Sequence, residues 1–294
     1  MKYISLYYLN YYIYIYNKMK SHSQLEQDLN IIYFFDNLKN GYFVDIGAYD
    51  GIRLSNTYIL EKEFNWNGIC SEPMPVSFNK LIKCRNVDCD NNAVFNKNNL
   101  KLKFSVSEMG SGITEYINHH THIKKKRQIT VNTITINDLL DKYKSPNIIH
   151  YLSLDTEGSE LEILKILNFE KYKFLYINLE HNFVEPQRTN IKNLLLSNGY
   201  LYKGENKWDD DYIHEINIIG NYYLNNNNNN NKDNKIEIKK IDNNIFKVTS
   251  ILFDEDIGNF DNGFIIWKKL GKCEIFYDKI IFNNNNKWYK NINY

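Results

Sequence analysis

The sequence has few cysteines and few prolines, and its charges of opposite sign cancel. Its 294 residues include four Cys and four Pro, and 36 Lys and Arg balance 35 Asp and Glu to a net charge of +1. Four cysteines without a C-x-x-C pair are too few for a disulfide scaffold of this length, so we expect free thiols and a cytoplasmic location. A net charge near zero also argues against a protein that binds nucleic acid mainly through its phosphates.

A hydrophobic run long enough to cross a membrane is also missing. Residues 3–16 form the most apolar stretch, but half of them are Tyr, and the run falls short of the ~20 apolar residues of a spanning helix. It also lacks the small residues of a signal-peptide cleavage site. We therefore expect residues 1–20 to be a Tyr-rich N-terminal segment without a transmembrane span, or to precede a true start at Met19.

A tract of seven consecutive Asn at residues 225–231 interrupts the chain. Such a tract buries no apolar surface, so we assign residues 225–234 to a linker between a domain at 21–224 and a small domain at 235–294. Asn, Lys, Ile and Tyr are abundant throughout, which is typical of an AT-rich genome such as that of many viruses. The Asn tract therefore indicates a boundary and not a function.

Short apolar runs alternate with amphipathic stretches between residues 21 and 224, which predicts an α/β domain with a mostly parallel sheet covered by helices. The strand candidates are YFVDI (42–46), GICS (68–71), IIHYLSL (148–154), FLYINL (174–179) and EINIIGNYYL (215–224). The helix candidates lie at 54–64, 75–84, 158–167 and 187–200, the last with Gly199 as its stop. Residues 235–294 contain short strands between Asn, Asp and Gly turns, which predicts a small antiparallel β-rich unit.

The clearest chemical motif is FVDIGAYDG at residues 43–51. A strand carries Asp45, and Gly47 and Gly51 follow before a helix, where glycines let the backbone approach a ligand. The spacing matches neither the G-x-G-x-x-G of dinucleotide sites nor a P-loop with its Lys-Ser/Thr pair. The loop therefore indicates a nucleotide-like cofactor that has no phosphate at this point.

A second acid stands at the end of the next strand. Glu72 follows GICS, where a carboxylate can accept hydrogen bonds from both ribose hydroxyls of an adenosine. Asp45 would suit a cofactor that carries an ammonium and a carboxylate. Together the two acids predict a site for S-adenosylmethionine (SAM).

Seven stretches of the chain resemble, in the expected order, the FkbM-type SAM-dependent methyltransferases. They are SQLEQD (23–28), FVDIGAYDGIRLSNTYILE (43–61), WNGICSEPMP (66–75), NNAV (91–94), SGI (111–113), LDTEGSELEIL (154–164) and LEHN (179–182). The resemblance implies the Rossmann-like class I methyltransferase fold, in which a seven-stranded, mostly parallel sheet holds SAM across its strand ends. It does not extend to residues 1–20 or 235–294.

The resemblance also implies positions for the SAM-binding residues. Gln24, Gln27 and Asp28 would belong to an N-terminal segment over the cofactor, in which Glu26 stands where we expect Gly. The remaining positions follow the parts of SAM: Asp45, Gly47 and Gly51 under the methionine group, Ser55 and Asn56 near its carboxylate, Glu72 on the ribose, and Asp90 and Asn92 near the adenine.

Methyl transfer to a hydroxyl needs a base or a metal to take or weaken the acceptor proton. His181 is the first candidate for the general base, because imidazole titrates near neutrality. Asp155, with Glu157 nearby, and Glu180 are the other catalytic candidates. Asp155, Glu180 and Asn182 together resemble the oxygen ligands that Mg²⁺ accepts, which leaves a metal open.

Three further groups of residues have a structural interpretation that we prefer. Glu160 and Glu162 fit the solvated face of a helix that begins near Ser159. The stretch HHTHIKKKR (119–127) lacks a fourth zinc ligand at a defined spacing, which favours a surface loop. The aromatics of the C-terminal unit could stack on sugars, but a unit of that size needs them for its core: Trp267, Tyr277, Trp288 and Tyr289.

For the acceptor we expect a sugar hydroxyl in a glycan, a glycoconjugate or a nucleotide-sugar, since FkbM-type relatives resemble O-methyltransferases of sugars. One alternative is RNA 2′-O methylation, but that chemistry typically uses a Lys-Asp-Lys-Glu set and Glu180 and His181 stand where a Lys is expected. A second alternative is a non-catalytic binding module that has kept the fold. Loss of SAM binding in the purified protein would favour that module.

Overall fold

The computed structural model describes residues 19–107, 110–117, 127–224, 235–250, 253–268, 270–277, 279–282 and 287–290. Most of the basic stretch at 119–127, the Asn-rich linker and the first 18 residues lie outside the described residues. No helix in the described part of the chain is long and apolar enough to cross a membrane.

The first part of the chain alternates strands and helices. Its strands are β1 (Tyr42–Ile46), β2 (Asn67–Ser71), β3 (Asp88–Asp90), β4 (Ala93–Val94), β5 (Lys101–Ser105), β6 (Gly112–Ile113), β7 (Gln128–Ile134), β8 (Ile148–Leu154), β9 (Lys173–Glu180), β10 (Tyr200–Asn206) and β11 (Asp209–His214). Its helices are α1 (Gln27–Phe34), α2 (Tyr58–Phe64), α3 (Pro75–Cys84), α4 (Ile136–Lys142), α5 (Glu160–Lys165) and α6 (Gln187–Ser197). The second part is all β, with β12 (Gly220–Leu224), β13 (Lys235–Asp242), β14 (Ile245–Ser250), β15 (Phe253–Asp261), β16 (Phe264–Trp267), β17 (Gly271–Ile275), β18 (Lys279–Phe282) and β19 (Lys287–Lys290).

A seven-stranded sheet with the order β3-β2-β1-β8-β9-β11-β10 forms the centre of the first part. Neighbouring strands are parallel from β3 to β9, and β11 is antiparallel to both β9 and β10. The expected α/β domain with a large sheet is therefore confirmed. A small sheet with the order β4-β7-β5-β6 adjoins it.

The strand β1 shows why both faces of the large sheet are covered. Phe43 packs into a core cluster with α1 and α2, whereas Val44 and Ile46 pack into a second cluster with α4, α5 and α6. Successive side chains of a strand point to opposite faces, so a continuous apolar run buries both. The carboxyl ends of β1, β8 and β9 consequently meet at one edge, between two layers of helices.

The structure corrects the boundary between the two parts. Residues 215–224 were expected to form a strand of the large sheet, but Glu215–Asn217 is a 3₁₀ turn and β12 pairs with β13 and β19 instead. The strands β12 to β19 close into a barrel. The barrel therefore begins before the Asn-rich linker, and the sequence analysis missed three strands of the large sheet: β3, β10 and β11.

Two helices, α1 and α4, were missed, whereas α3 has the expected bounds and the other three helices are shorter than expected. The stretches predicted as helices at 54–64, 158–167 and 187–200 contain α2, α5 and α6, and Gly199 with a φ of +81° follows the end of α6 as predicted. The missed helix α1 begins after Glu26, whose φ of +60° is a left-handed conformation that favours Gly. Glu26 therefore has a backbone conformation that would suit the Gly expected at this position.

The barrel packs against α1 of the first part. The rings of Tyr277 and Phe35 are tilted against each other with their centroids 5.2 Å apart, and the N–H of Tyr277 donates to the carbonyl of Phe34 at 3.2 Å. Lys279 forms an ion pair with Asp36. Three of the four aromatics proposed for this unit, Trp267, Tyr277 and Trp288, are buried, in agreement with the core interpretation.

Candidate functional site

A cavity of about 510 Å³ opens at the carboxyl ends of β1, β8 and β9, which is where open α/β sheets bind ligands. Four sequence motifs contribute to its wall: the N-terminal segment, the glycine loop after β1, the loop after β8 and the end of β9. The lining residues that the sequence analysis singled out are Gln24, Gln27, Asp45, Gly47, Ser55, Asn56, Asp155, Glu157, Glu180 and Asn182.

Gly47 allows the loop after β1 to approach the loop after β8. It has a φ of +95°, and a Cβ atom at this position would lie 1.8 Å from the carbonyl oxygen of Asp155. The N–H groups of Gly47 and Ala48 donate to the carbonyl of Ser71 at 3.0 and 3.1 Å. Only Gly fits this turn, which brings the ends of β1, β2 and β8 together.

The polar residues beside the glycine loop are anchored in the protein. Thr57 Oγ1 donates to Asp45 Oδ2 at 2.6 Å, and burial raises the pKa of Asp45. Ser55 Oγ accepts from the N–H of Tyr58 at 3.1 Å at the start of α2. Asn56 Nδ2 donates to Ser153 Oγ at 3.0 Å, whereas the buried Oδ1 of Asn56 has no partner among the described residues.

Glu72 lies in a narrower, adjoining cavity of about 50 Å³. Its two carboxylate oxygens accept from the N–H of Tyr49 at 2.9 Å and from the N–H of Met74 at 2.7 Å. Burial nevertheless raises the pKa of Glu72 to about 8. The remaining wall is largely apolar, with Met74, Ala93, Val94, Phe104 and Ile113.

Four predicted cofactor residues lie outside the walls of both cavities. Asp90 accepts from Lys142 Nζ at 2.6 Å and from Tyr143, and Asn92 donates to Asp90, so the pair joins β3 to α4. Asp28 accepts from Ser21, His22 and Ser23 and holds the chain before α1. Gly51 has a φ of +83°, and a Cβ atom there would collide with Leu81 and Cys84 of α3 and with Arg85. The structure thus shows a role of these four residues in the fold, and their contact with the cofactor stays a prediction.

Three carboxylates converge where the two cavities meet. Asp155, Glu157 and Glu180 each offer an oxygen within 4.8 Å of the others, and Asp155 and Glu157 line both cavities. Burial raises the pKa of all three, that of Glu157 to about 8, and repulsion from neighbouring carboxylates adds to the shift, which for Glu157 comes from Glu160. Asp155 nevertheless remains open to the cavity. Such a set can take a proton from a ligand or hold a hard divalent cation.

The loop that carries Asp155 and Glu157 is held by Glu160, to which the sequence analysis gave only a solvated role. Glu160 is buried, and its Oε1 accepts from the N–H of Thr156 at 2.9 Å and from the N–H of Gly158 at 3.1 Å. Its Oε2 accepts from Gln187 Nε2 at 3.1 Å. Within the motif LDTEGSE, Glu160 therefore holds the loop that carries the two other acids. The sequence signal that could have indicated this role is an acid two residues after Gly158.

His181 does not line the larger cavity. Its Nδ1 accepts from the N–H of Phe183 at 2.9 Å, which leaves the proton of the neutral ring on Nε2. That nitrogen is buried 3.6 Å from Asp210, and burial lowers the pKa of the ring. The imidazole faces Asp210 and not Asp155, Glu157 or Glu180, and the assignment of His181 as the general base stays a prediction.

The hairpin between β10 and β11 adds a wall that the sequence analysis missed. Trp208 and Asp209 line the larger cavity together with Asn178 of β9. The carbonyl of Trp208 accepts from the N–H of His181 at 2.8 Å. The sequence analysis did not place this hairpin at the site, because it found neither a glycine motif nor a strand in the hairpin.

Comparison with solved structures finds methyltransferases. Methyltransferase FkbM from Methylobacillus flagellatus KT has a TM-score of 0.39 and 11% identity, and the match covers 70% of this chain and 58% of that one. A precorrin-6y C5,15-methyltransferase from Geobacter metallireducens GS-15 has a TM-score of 0.36 and 14% identity, covering 67% of this chain and 93% of that one. A putative RNA methyltransferase from Pyrococcus horikoshii has a TM-score of 0.36 and 11% identity, and the match covers 73% of this chain and 100% of that one.

The sequence matches a family model, although no curated protein matches the chain. The model of the methyltransferase FkbM domain matches residues 45–202, which include the glycine loop, Glu72 and the three carboxylates. Because this match spans more than half of the 294 residues, the chain belongs to the FkbM methyltransferase family, and membership implies a methyltransferase that uses SAM.

Proposed function

We propose that the protein is a SAM-dependent O-methyltransferase of the Rossmann-like class I fold and that its acceptor is a sugar hydroxyl. The observation that carries the proposal is the position of Asp155, which lines both the narrow cavity beside Glu72 and the wide cavity beside Asn56. A cofactor and an acceptor held in the two cavities would meet at this carboxylate.

The residues around the two cavities fit SAM. Glu72 would accept from the ribose hydroxyls, and the apolar wall with Met74 and Phe104 suits an adenine ring. Asp45 and the unpartnered Oδ1 of Asn56 offer acceptors to an ammonium group. Bound SAM supplies a methyl group that is electrophilic because it is attached to a positively charged sulfur.

The carboxylates at the junction would supply the base. A hydroxyl becomes a better nucleophile as its proton moves to a nearby group, and Asp155 and Glu180 are placed to receive it. Burial and neighbouring carboxylates raise the pKa of both carboxyls, so each is a stronger base once it is ionised. Since a base accounts for this chemistry without Mg²⁺, we expect methyl transfer to survive treatment with EDTA, and its loss would instead favour a cation on these carboxylates.

The test uses methyl-labelled SAM and an extract of the cells from which the protein comes. After incubation, the extract is separated into glycans, nucleotide-sugars, RNA, protein and small molecules, and the label in each is counted. We expect label in a sugar-containing fraction with the wild type and none with Asp155→Asn. Label in RNA would replace the proposed acceptor by the alternative one, whereas absence of SAM binding would favour a non-catalytic module.

A further inference from the structure

Apart from the predicted cofactor residue Gln27, the side of the larger cavity formed by β9, β10, β11 and α1 has no role in the cofactor site described above. Its wall is formed by Trp208, Asp209, Asn178 and Gln27, which carry an indole, a carboxylate and two side-chain amides. We call these four residues the hairpin wall. Its combination of one aromatic ring with carboxylate and amide groups is a specific chemistry that the acceptor must match.

Trp208 is held in place through its backbone. Its carbonyl accepts from the N–H of His181 at 2.8 Å and from the N–H of Asn182 at 3.3 Å. The side chain itself is half-buried in the wall of the cavity. A half-buried aromatic ring on an anchored backbone offers an apolar face at the wall of the cavity.

Asp209 is held beside the indole by two amides. Gln27 Nε2 donates to Asp209 Oδ2 at 2.7 Å and Asn178 Nδ2 donates to the same oxygen at 3.2 Å. The described residues place no donor on Oδ1 of Asp209, and a carboxylate can accept about four hydrogen bonds. The carboxylate is therefore oriented and retains capacity for hydroxyl donors.

The charges around the cavity select against phosphate. Five carboxylates line it among the described residues, and Arg53 is the one guanidinium in that lining. A phosphate would find only one cationic side chain to pair with in this lining, whereas a hydroxyl can donate to a carboxylate without bringing charge. An aromatic face beside hydroxyl acceptors fits a ring with one apolar face and hydroxyls at its edge.

We infer that the hairpin wall is the acceptor subsite and that it binds an unphosphorylated, neutral pyranose, with the ring on Trp208 and a pair of hydroxyls on Asp209. This inference rests on the proposed function and narrows it, because it excludes nucleotide-sugars and RNA as acceptors. The aromatic residue proposed to stack on a sugar therefore lies in the hairpin and not in the barrel, where the aromatics are buried.

The experiment measures sugar binding to the protein loaded with S-adenosylhomocysteine (SAH). SAH binding is first measured by calorimetry, and a panel of methyl glycosides of neutral hexoses, 6-deoxyhexoses and N-acetylhexosamines is then titrated by saturation-transfer NMR. We expect at least one glycoside to bind the wild type, with an affinity about tenfold lower in Trp208→Ala, since stacking on an aromatic ring is of that order. Trp208→Phe should recover part of the loss.

Two further variants separate the subsite from general damage. Asp209→Asn should weaken the same glycoside while SAH binding persists, because Asn can still accept from Gln27. Tyr223→Ala, which removes an exposed aromatic of the barrel, should leave glycoside binding unchanged. Equal glycoside affinity in Trp208→Ala and Tyr223→Ala, no glycoside binding to the SAH-loaded wild type, or preferential binding of single-stranded RNA would overturn the inference. Failure of the wild type to bind SAH would instead contradict the proposed function itself.

Discussion

At the scale of single residues, Asp155 and His181 show how two side chains that each follow a strand end can have opposite surroundings. Asp155 lies at the junction of the two cavities, whereas His181 is turned toward Asp210 on the far side of its strand. Both strand ends could be located from the sequence. The direction of each side chain could not, because it depends on the hairpin β10–β11, which packs on β9 and was not predicted.

A pair of substitutions tests this difference. Asp155→Asn should lower kcat by about 10²-fold or more while SAM binding stays within a few-fold, since a general base contributes at least that much. His181→Asn should retain turnover, because the amide oxygen can accept from the N–H of Phe183 in place of Nδ1. Initial rates with labelled SAM and calorimetric SAM affinities would check both. Loss of turnover in His181→Asn with a normal melting temperature would restore the histidine as the base.

The buried carboxyl of Glu72 predicts how stability depends on pH. Its pKa is about 8 in the folded protein against an ordinary 4.5, so between these values the folded state holds a proton that the unfolded state has lost. The free energy of unfolding should therefore fall as the pH rises from 6.5 to 8.5. Glu157 contributes in the same direction. The buried His150 and His214, with pKa values of about 4, oppose it near pH 6.5, because the unfolded chain still binds protons there, and Lys290, with a pKa of about 8, opposes it toward pH 8.5.

Urea unfolding of the protein without SAM at pH 6.5, 7.5 and 8.5 measures this dependence. Glu72→Gln should reduce the slope without removing it, because the other raised carboxyls remain. Stability that increases with pH over this interval, or a slope unaffected by Glu72→Gln, would contradict the assignment of a protonated Glu72.

At the scale of elements, the glycine loop and the loop after β8 could be predicted because their chemistry is local. Gly47 is required by a turn within its own motif, and Glu72 follows directly from the end of β2. Asp28 and Asp90 line neither cavity, and their partners, Ser21 to Ser23 and Lys142, come from contacts that no motif spacing reports. The helix α1 was missed for a similar reason, since its start depends on the left-handed Glu26.

The loop after β8 gives a prediction about Glu160 as a positioning residue. Glu160→Ala removes the acceptor for two backbone N–H groups of this loop, so Asp155 should lose its alignment and kcat should fall by about tenfold or more. SAM affinity should change little. Glu160→Gln should recover most of the rate, because its amide oxygen can accept the same two bonds.

Glu162 provides the matched control on the same helix. It pairs with Lys165 and Asn96 at the surface of α5, away from the loop. Glu162→Ala should therefore leave kcat unchanged. If Glu160→Ala lowered only the melting temperature, or if Glu160→Gln were as slow as Glu160→Ala, the hydrogen bonds of Glu160 would have no part in positioning the carboxylates.

At the scale of the whole molecule, composition located the Asn-rich linker but not the boundary between the two parts. The boundary lies before β12, because Tyr222 of this strand donates from its hydroxyl to the carbonyls of Asn217 and Ile218 and is buried in the barrel. Strand pairing across the linker, between β12 and both β13 and β19, is a long-range contact. A local change in composition cannot show such pairing.

This arrangement predicts opposite results for cutting the linker and for deleting residues 225–294. A fragment of residues 1–224 would keep β12 without its partners and would expose Phe34 and Phe35 of the α1 region, which pack in one apolar cluster with the barrel residues. Unpaired strand edges and an exposed apolar patch promote association, so we expect this fragment to aggregate.

Cleavage at a protease site inserted within residues 225–234 should instead leave both pieces together, because β12 still pairs with β13 and β19 and the contacts of Tyr277 and Lys279 with the α1 region persist. Gel filtration before and after cleavage, with SAH binding as a second readout, distinguishes the two cases. A monodisperse, SAH-binding fragment of residues 1–224 would show that the barrel is dispensable for the core. Separation of the pieces after cleavage would show that the pairing of β12 is too weak to join them.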